Sequence, residues 1–167
     1  FLQEKVEVFR NFLDVLYSKM DKYASLKEFE RAAIFRDKIK AYRDIQKDQS
    51  VFTIYDKAIV ITKKSNDFVN CISILEIKDG WLINSENYFS KKDIFISDEE
   101  LMESFLSKIL IEKNLENLTL LSDFEFKNLK TQLRDKKILL EKKNHKNKKI
   151  FELSLIQSDD GLQRQYN

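Results

Sequence analysis

The first 49 residues are patterned as two consecutive helices, and this pattern constrains the fold more than any other feature of the sequence. They contain no glycine, no proline and no strand-like run. Apolar residues recur at alternating spacings of four and three, as along the seam of a long helix; they are Leu2, Val6, Phe9, Leu13, Leu16 and Met20. Residues 25–28 (SLKE) match a capping box and predict the start of a second helix. Two helices joined by so few residues predict an antiparallel hairpin.

The hairpin carries more apolar residues than two helices can bury against each other. A second stripe widens the apolar face of the first helix; it consists of Val8, Phe12 and Val15. The second helix has an apolar set of its own, namely Phe29, Ala32, Ala33, Phe35, Ile39, Tyr42 and Ile45. Leaving one Phe exposed forfeits roughly 1.5–3 kcal/mol. The pattern therefore predicts a partner surface, supplied by another chain or by the rest of this one.

Beyond Ser50 the pattern changes to short strands, followed by helices that alternate with strands. The predicted strands are 58–62, 71–78, 81–89, 118–121 and 138–140. Asp79-Gly80 favours a tight hairpin turn, and capping boxes at 97–100 and 122–125 predict two helices. We interpret the last segment, 150–157, as a helix.

This order predicts an α+β or α/β protein with two domains. Residues 1–49 would form the helical hairpin. Residues 50–167 would form three antiparallel strands and then α-β-α-β-α, with parallel later strands joined by right-handed crossovers. That is the element order of the ribonuclease H fold.

Composition excludes several classes of protein. Thirty Lys and Arg against 28 Asp and Glu give a formal net charge of +2, and 43% of the residues are hydrophobic, which excludes a disordered tail and an extreme polycation. No apolar run is long enough to predict a membrane span. Two glycines, Gly80 and Gly161, are too few for a glycine-cradled phosphate site, and Cys71, the single cysteine, forms neither an internal disulfide nor a zinc cluster. We expect a cytoplasmic protein without a cofactor or metal and, because the chain opens at Phe1 without a leader, a piece of a longer one.

Residues 28–39 (EFERAAIFRDKI) closely resemble the UVR motif shared by the UvrB and UvrC families of the bacterial UvrABC excinuclease. The run from Phe1, and residues 77–82 (IKDGWL) with the following Tyr88-Phe89, are similar to the UvrC family. The resemblance implies a central fragment of a bacterial nucleotide excision repair protein whose hairpin binds UvrB. It also implies damaged DNA as a partner of the assembled complex, and a catalytically silent ribonuclease H-like domain next to the hairpin. The partner-binding residues would be Phe29, Glu30, Arg31, Ala32, Ala33, Arg36, Asp37 and Ile39.

Several alternatives remain open for the hairpin. Two positions depart from the usual motif: Lys27 stands where an apolar residue is usual, and Tyr23 where a small one is usual. The hairpin could be an ordinary amphipathic pair packed on its own domain, or could self-associate. Hairpins of this type also occur in adaptors of the Clp protease and arginine-kinase systems.

A metal-dependent nuclease is the competing interpretation of the second domain. That chemistry needs carboxylates that converge on two metal ions, but the first strand (58–62) has none. Asp123 follows the fourth strand, where its charge also suits the first turn of a helix. We therefore assign no catalytic residue and no metal ligand.

A cluster of lysines follows the last predicted strand and suggests a contact with nucleic acid. Its candidate residues are Lys142, Lys143, Lys146, Lys148 and Lys149. Such a loop can hold DNA phosphates through sequence-independent contacts that weaken with salt. A solvated loop in a lysine-rich protein is the alternative, since no aromatic residue lies within the cluster.

Overall fold

The protein is described by a computed structural model for residues 2–47 and 54–165. Helices α1 (Leu2–Ser25) and α2 (Phe29–Lys47) form the predicted hairpin. The remaining elements are β1 (Lys57–Ser65), β2 (Val69–Lys78), β3 (Trp81–Lys91), α3 (Asp98–Glu112), β4 (Leu118–Leu121), α4 (Lys130–Asp135), β5 (Ile138–Glu141) and α5 (Lys148–Gln165). The predicted order of strands and helices is confirmed, including the final helix. The predicted domain boundary near Ser50 lies outside the described residues.

The five strands form one mixed sheet in the order β3-β2-β1-β4-β5. Strands β1, β2 and β3 are antiparallel neighbours, whereas β4 runs parallel to β1 and β5 runs parallel to β4. Asp79 and Gly80 both have positive φ, 51° and 79°, so the predicted two-residue turn joins β2 to β3. The fold is α+β, and none of the described helices is both long and apolar enough to cross a membrane.

One of the three predicted capping boxes is correct. Ser97 Oγ accepts from the Glu100 backbone N–H at 3.2 Å, and the Glu100 carboxylate accepts from the Ser97 N–H, so α3 begins as predicted. Ser25 instead is the last residue of α1, and its hydroxyl donates to the Asp21 carbonyl at 2.8 Å. The turn into α2 is made at Lys27, which has a positive φ of 58°.

The capping box predicted at residues 122–125 is also wrong. The Ser122 N–H donates to the Glu141 carbonyl at 3.1 Å, which ties this residue to the sheet. The Ser122 hydroxyl accepts from the Phe124 N–H at 3.3 Å, but the next helical residues are those of a 3-10 turn (Lys127–Leu129), which precedes α4.

Each face of the sheet is covered by helices. On one face, α3 and the α4 segment (residues 126–135, which comprise α4 and the turn before it) bury an apolar cluster against β1, β2, β4 and β5. On the other face α5 lies across β1 and β2, and the hairpin packs beside it. The sheet is therefore the central layer, and the hairpin shares a core with it.

The rest of the chain covers one face of the hairpin. Leu16, Phe35 and Ile39 belong to the same buried cluster as strand residues such as Val60 and Leu75. This confirms that the hairpin does not complete its packing alone, and identifies part of the surface that it needs as belonging to this chain. The side chains of Leu2, Val6, Val8 and Ile45 lie outside the described part.

A buried ion pair joins the hairpin to α5. Lys38 on α2 is 5% exposed and Asp160 on α5 is 2% exposed, with 3.4 Å between Lys38 Nζ and Asp160 Oδ2. Nearby, the Tyr42 hydroxyl donates to Gln157 Oε1 at 3.5 Å, and burial is the main reason that the pKa of Tyr42 is raised far above its usual value. These polar contacts fix the register between α2 and α5.

Gly161 allows α5 to lie directly on the sheet. A Cβ at this position would lie 2.7 Å from Asn87 Nδ2 and 2.9 Å from Cys71 Sγ, inside normal contact distance. We expect Gly161→Ala to lower the free energy of unfolding by about 1–3 kcal/mol through overpacking, although alanine has the higher helix propensity by about 1 kcal/mol. Urea denaturation measures this, with the exposed Ser104→Ala as the control. A variant as stable as the parent would contradict the tight approach.

Candidate functional site

The hairpin tip, residues 26–31, exposes apolar side chains where α1 turns into α2. Phe29 is 67% exposed and Leu26 is 58% exposed. Lys27 adopts the left-handed conformation between them and turns the chain. Glu30 is also exposed. Large side chains exposed together at a turn are typical of a contact surface rather than of a core.

Arg31 and Tyr23 connect the tip to the core. Arg31 Nη1 lies 2.7 Å from Glu28 Oε2, and its guanidinium lies 5.4 Å from the centre of the Tyr23 ring. Tyr23 in turn stacks on the buried Phe35, with ring centres 5.6 Å apart and an interplanar angle of 13°. Tyr23, which stands out in the sequence only as a departure from the motif, thus packs between Arg31 of the tip and the buried Phe35.

The structure separates the eight predicted partner-binding residues into exposed, half-buried and buried ones. Phe29, Glu30, Arg36 and Asp37 are exposed, and Arg31 and Ala33 are half-buried. Ala32 is 9% exposed, and Ile39 lies in the core shared with the sheet. Arg36 Nε donates to Asp37 Oδ1 at 3.0 Å, so this exposed pair is formed between sequence neighbours. The residues accessible to a partner lie at the tip and along the outer side of α2.

The five lysines of the predicted nucleic-acid contact are all exposed. Lys142, Lys143 and Lys146 lie in the loop between β5 and α5, whereas Lys148 and Lys149 lie in the first turn of α5. Lys142 Nζ is 3.0 Å from Glu125 Oε1, and this hydrogen bond and charge lower the pKa of the Glu125 carboxyl. Lys148 Nζ lies 3.9 Å from Glu152 Oε1.

The loop that carries these lysines is anchored by a buried asparagine. Asn147 is fully buried, and its Nδ2 donates to Glu141 Oε1 at 3.2 Å and to the Lys142 carbonyl at 3.1 Å. The Tyr55 hydroxyl donates to the same Glu141 oxygen at 2.6 Å; burial and this carboxylate raise the pKa of Tyr55 to about 12. Sequence reasoning missed Asn147, since one polar residue in a polar loop looks like its neighbours.

The carboxylate considered for catalysis has a structural contact. Asp123 Oδ1 accepts from the Lys143 backbone N–H at 3.1 Å, so it holds the lysine loop against the end of β4. Within residues 2–47 and 54–165, no group of three or more His, Cys, Asp and Glu is arranged to hold a metal ion. Cys71 is buried, and burial is the main cause that raises the pKa of its thiol to about 11.

Comparison with known proteins identifies the hairpin. The family described as UVR, the UvrB/uvrC motif, matches residues 10–45, which cover most of α1 and α2. UvrABC system protein C from Saccharophagus degradans is 31% identical over 107 residues, 64% of this chain and 17% of that protein. The chain carries a UVR motif and is related to UvrABC system protein C.

Two further relatives give the same result. The protein of the same name from Legionella pneumophila strain Lens is 36% identical over 101 residues, 60% of this chain and 16% of that protein. The one from Proteus mirabilis is 28% identical over 125 residues, 66% of this chain and 20% of that protein. The chain thus spans about a fifth or less of the length of these curated relatives. No solved structure matches it.

Proposed function

We propose that this chain is a central part of a bacterial nucleotide excision repair protein, and that its UVR hairpin binds the UvrB protein of the UvrABC system in the cytoplasm. The observation that carries the proposal is the UVR match over residues 10–45 on a hairpin whose tip stays exposed while its other face is buried. Binding there would hold the nucleases of the whole protein near damaged DNA by raising their local concentration.

The packing of the hairpin supports this role, because α2, which carries the tip, is held against the rest of the chain. The buried Lys38–Asp160 pair and the shared core hold α2 against α5. Tyr23 and Arg31 then limit the movement of the tip relative to α2. A contact surface that is ordered before binding loses less conformational entropy when its partner arrives. Exposed aromatic and arginine side chains are also the types that dominate binding energy at interfaces.

Phe29→Ala tests the proposal directly. We expect it to weaken binding to UvrB at least about 30-fold, since a buried interface aromatic contributes about 2 kcal/mol or more. Phe68→Ala is a matched control, because Phe68 is also 67% exposed but lies in the turn between β1 and β2. Titration calorimetry with purified UvrB measures both affinities.

The stability of the two variants completes this test. Both positions are solvent-exposed, so each variant should unfold within about 0.5 kcal/mol of the parent. Equal affinity of the parent and Phe29→Ala for UvrB would remove the tip from the interface. Equal weakening by Phe29→Ala and Phe68→Ala would show that the loss is not specific to the hairpin tip and would also contradict the proposal.

For the remainder of the chain we propose a ribonuclease H-like scaffold that contributes binding rather than catalysis. Its lysine loop, held in place by Asn147 and Asp123, would contact DNA phosphates through Lys143 and Lys146. Lys142 is partly neutralised by Glu125, so its contribution would be smaller. A contact of this kind depends strongly on salt and not on DNA sequence.

A further inference from the structure

Strand β5 forms one edge of the sheet, and an open groove runs beside it. One side of β5 pairs with β4, and no strand in the described part of the chain pairs with its other side. The groove has a volume of about 560 Å³ and lies between β5 and the α4 segment. A sheet edge offers a row of backbone N–H and C=O groups to which an extended segment can add as a further strand.

The groove is apolar along its length. Phe126, Leu133 and Ile138 line it and belong to the buried cluster beneath α3. Leu139 and Leu140 line it as well, and because successive strand residues point to opposite faces, they flank both sides of the edge. Leu139 is 67% exposed, so an added strand would bury a side chain that the sheet itself leaves in water.

The rim of the groove is positively charged. Lys130, Arg134 and Lys137 line it and are exposed, and Arg134 Nε lies 4.0 Å from Asp135 Oδ1. Among the described residues that line the groove, Glu125 is the sole carboxylate, and it is paired with Lys142 at 3.0 Å. The groove therefore combines an apolar floor with a cationic border, which determines the chemistry of what it can accept.

We propose that the β5 edge binds an extended segment of a partner protein in which acidic and apolar residues alternate, so that the segment becomes a sixth strand. Apolar side chains on one face of the added strand would cover Leu139, and carboxylates on its other face, towards α4, would lie near Lys130 and Arg134. This inference is independent of the role of the UVR hairpin.

Two other occupants fit the groove less well. A second copy of the chain, paired edge to edge, would bring two sets of Lys130, Arg134 and Lys137 together, and like charges oppose each other across an interface. A nucleic-acid strand gains affinity by stacking its bases on exposed aromatic rings. The aromatic ring in the groove, Phe126, is 1% exposed and offers no such platform.

The probe for this proposal is an eight-residue fluorescent peptide of alternating Val and Glu, with an alternating Val and Lys peptide as its control. We expect the acidic peptide to bind the full chain, and the basic peptide to bind at least about tenfold more weakly in fluorescence anisotropy. The double variant Lys130→Glu/Arg134→Glu should lose at least about tenfold in affinity for the acidic peptide. Lys78→Glu, an exposed position at the β2–β3 turn, should leave it unchanged.

Hydrogen exchange locates the bound peptide. We expect the acidic peptide to slow exchange of backbone amides within residues 138–141, which would gain strand hydrogen bonds. Absence of binding, equal binding of both peptides, or unchanged exchange in β5 would overturn the proposal. Displacement of the peptide by an eight-nucleotide oligo-dT would overturn it in favour of nucleic acid. If the chain formed concentration-dependent dimers in which the β5 amides exchange slowly without peptide, the edge would bind a second copy of the chain and the proposal would be overturned.

Discussion

Lys38→Met is expected to lower the free energy of unfolding by about 3–5 kcal/mol. Lys38 and Asp160 are 5% and 2% exposed, so both charges have been removed from water and are stabilised by their contact with each other. The variant keeps the aliphatic length of the lysine and deletes the ammonium group. The Asp160 carboxylate then stays in a buried environment without that cation, which is more costly than the loss of an exposed ion pair. Urea denaturation followed by circular dichroism measures the change.

Two further variants separate the charge effect from packing. The double variant Lys38→Met/Asp160→Leu should recover most of the lost stability, since apolar residues of similar size often replace a buried ion pair without loss. Arg36→Met, two residues away in an exposed pair with Asp37, should change stability by about 0.5 kcal/mol or less. A loss below about 1 kcal/mol for Lys38→Met would mean that water reaches the pair.

The parts of the fold that depend on local pattern were predictable. The apolar spacing of α1 and α2, the runs that became β1 to β5, and the Asp79-Gly80 turn all follow from residues close together in sequence. The position of the hairpin against α5 was not predictable in this way, because the buried ion pair between them joins Lys38 to Asp160, 122 positions apart in sequence. Nothing in the charged pattern around Lys38 distinguishes it from the exposed Lys40 two residues later.

The capping boxes show the same limit at shorter range. Three sequences fit the pattern, but a serine caps a helix only if its hydroxyl faces unpaired backbone N–H groups. Ser97 meets that condition at the start of α3. The Ser25 hydroxyl instead donates to the preceding helical turn, and the Ser122 hydroxyl accepts from the Phe124 N–H at 3.3 Å in a bend that no helix follows directly. Whether a given serine caps a helix therefore depends on the direction of the chain after it, and the tertiary structure sets that direction.

The candidate site was predictable only where a motif marks it. The UVR-like run identified Phe29 and its neighbours, but not the support that Tyr23 gives to Arg31. The lysine cluster was visible as charge, whereas its anchor Asn147 was not. The groove beside β5 had no signal at all, since an edge strand is defined by the absence of a neighbour in space.

Phe35→Ala is expected to lower the free energy of unfolding by about 3–5 kcal/mol, because Phe35 is 1% exposed and its loss leaves a cavity at the centre of the shared core. Phe29→Ala, six residues earlier on the same helix, should cost about 0.5 kcal/mol or less in stability while it weakens binding to UvrB. The two substitutions thus assign opposite sides of α2 to folding and to recognition. A large loss of stability in Phe29→Ala would contradict that assignment.

The Phe35→Ala variant also tests whether the proposed two domains unfold as one unit. Trp81 is the single tryptophan, and its ring centre lies 6.0 Å from that of Phe9, so its fluorescence reports the contact between α1 and β3. Circular dichroism reports the helices of both parts. Because Phe35 packs in a cluster that includes Val60 and Leu75, we expect both signals to shift together to lower urea. Separate transitions would mean that the hairpin unfolds alone, and the tip would then lack the rigid support on which the proposed binding depends.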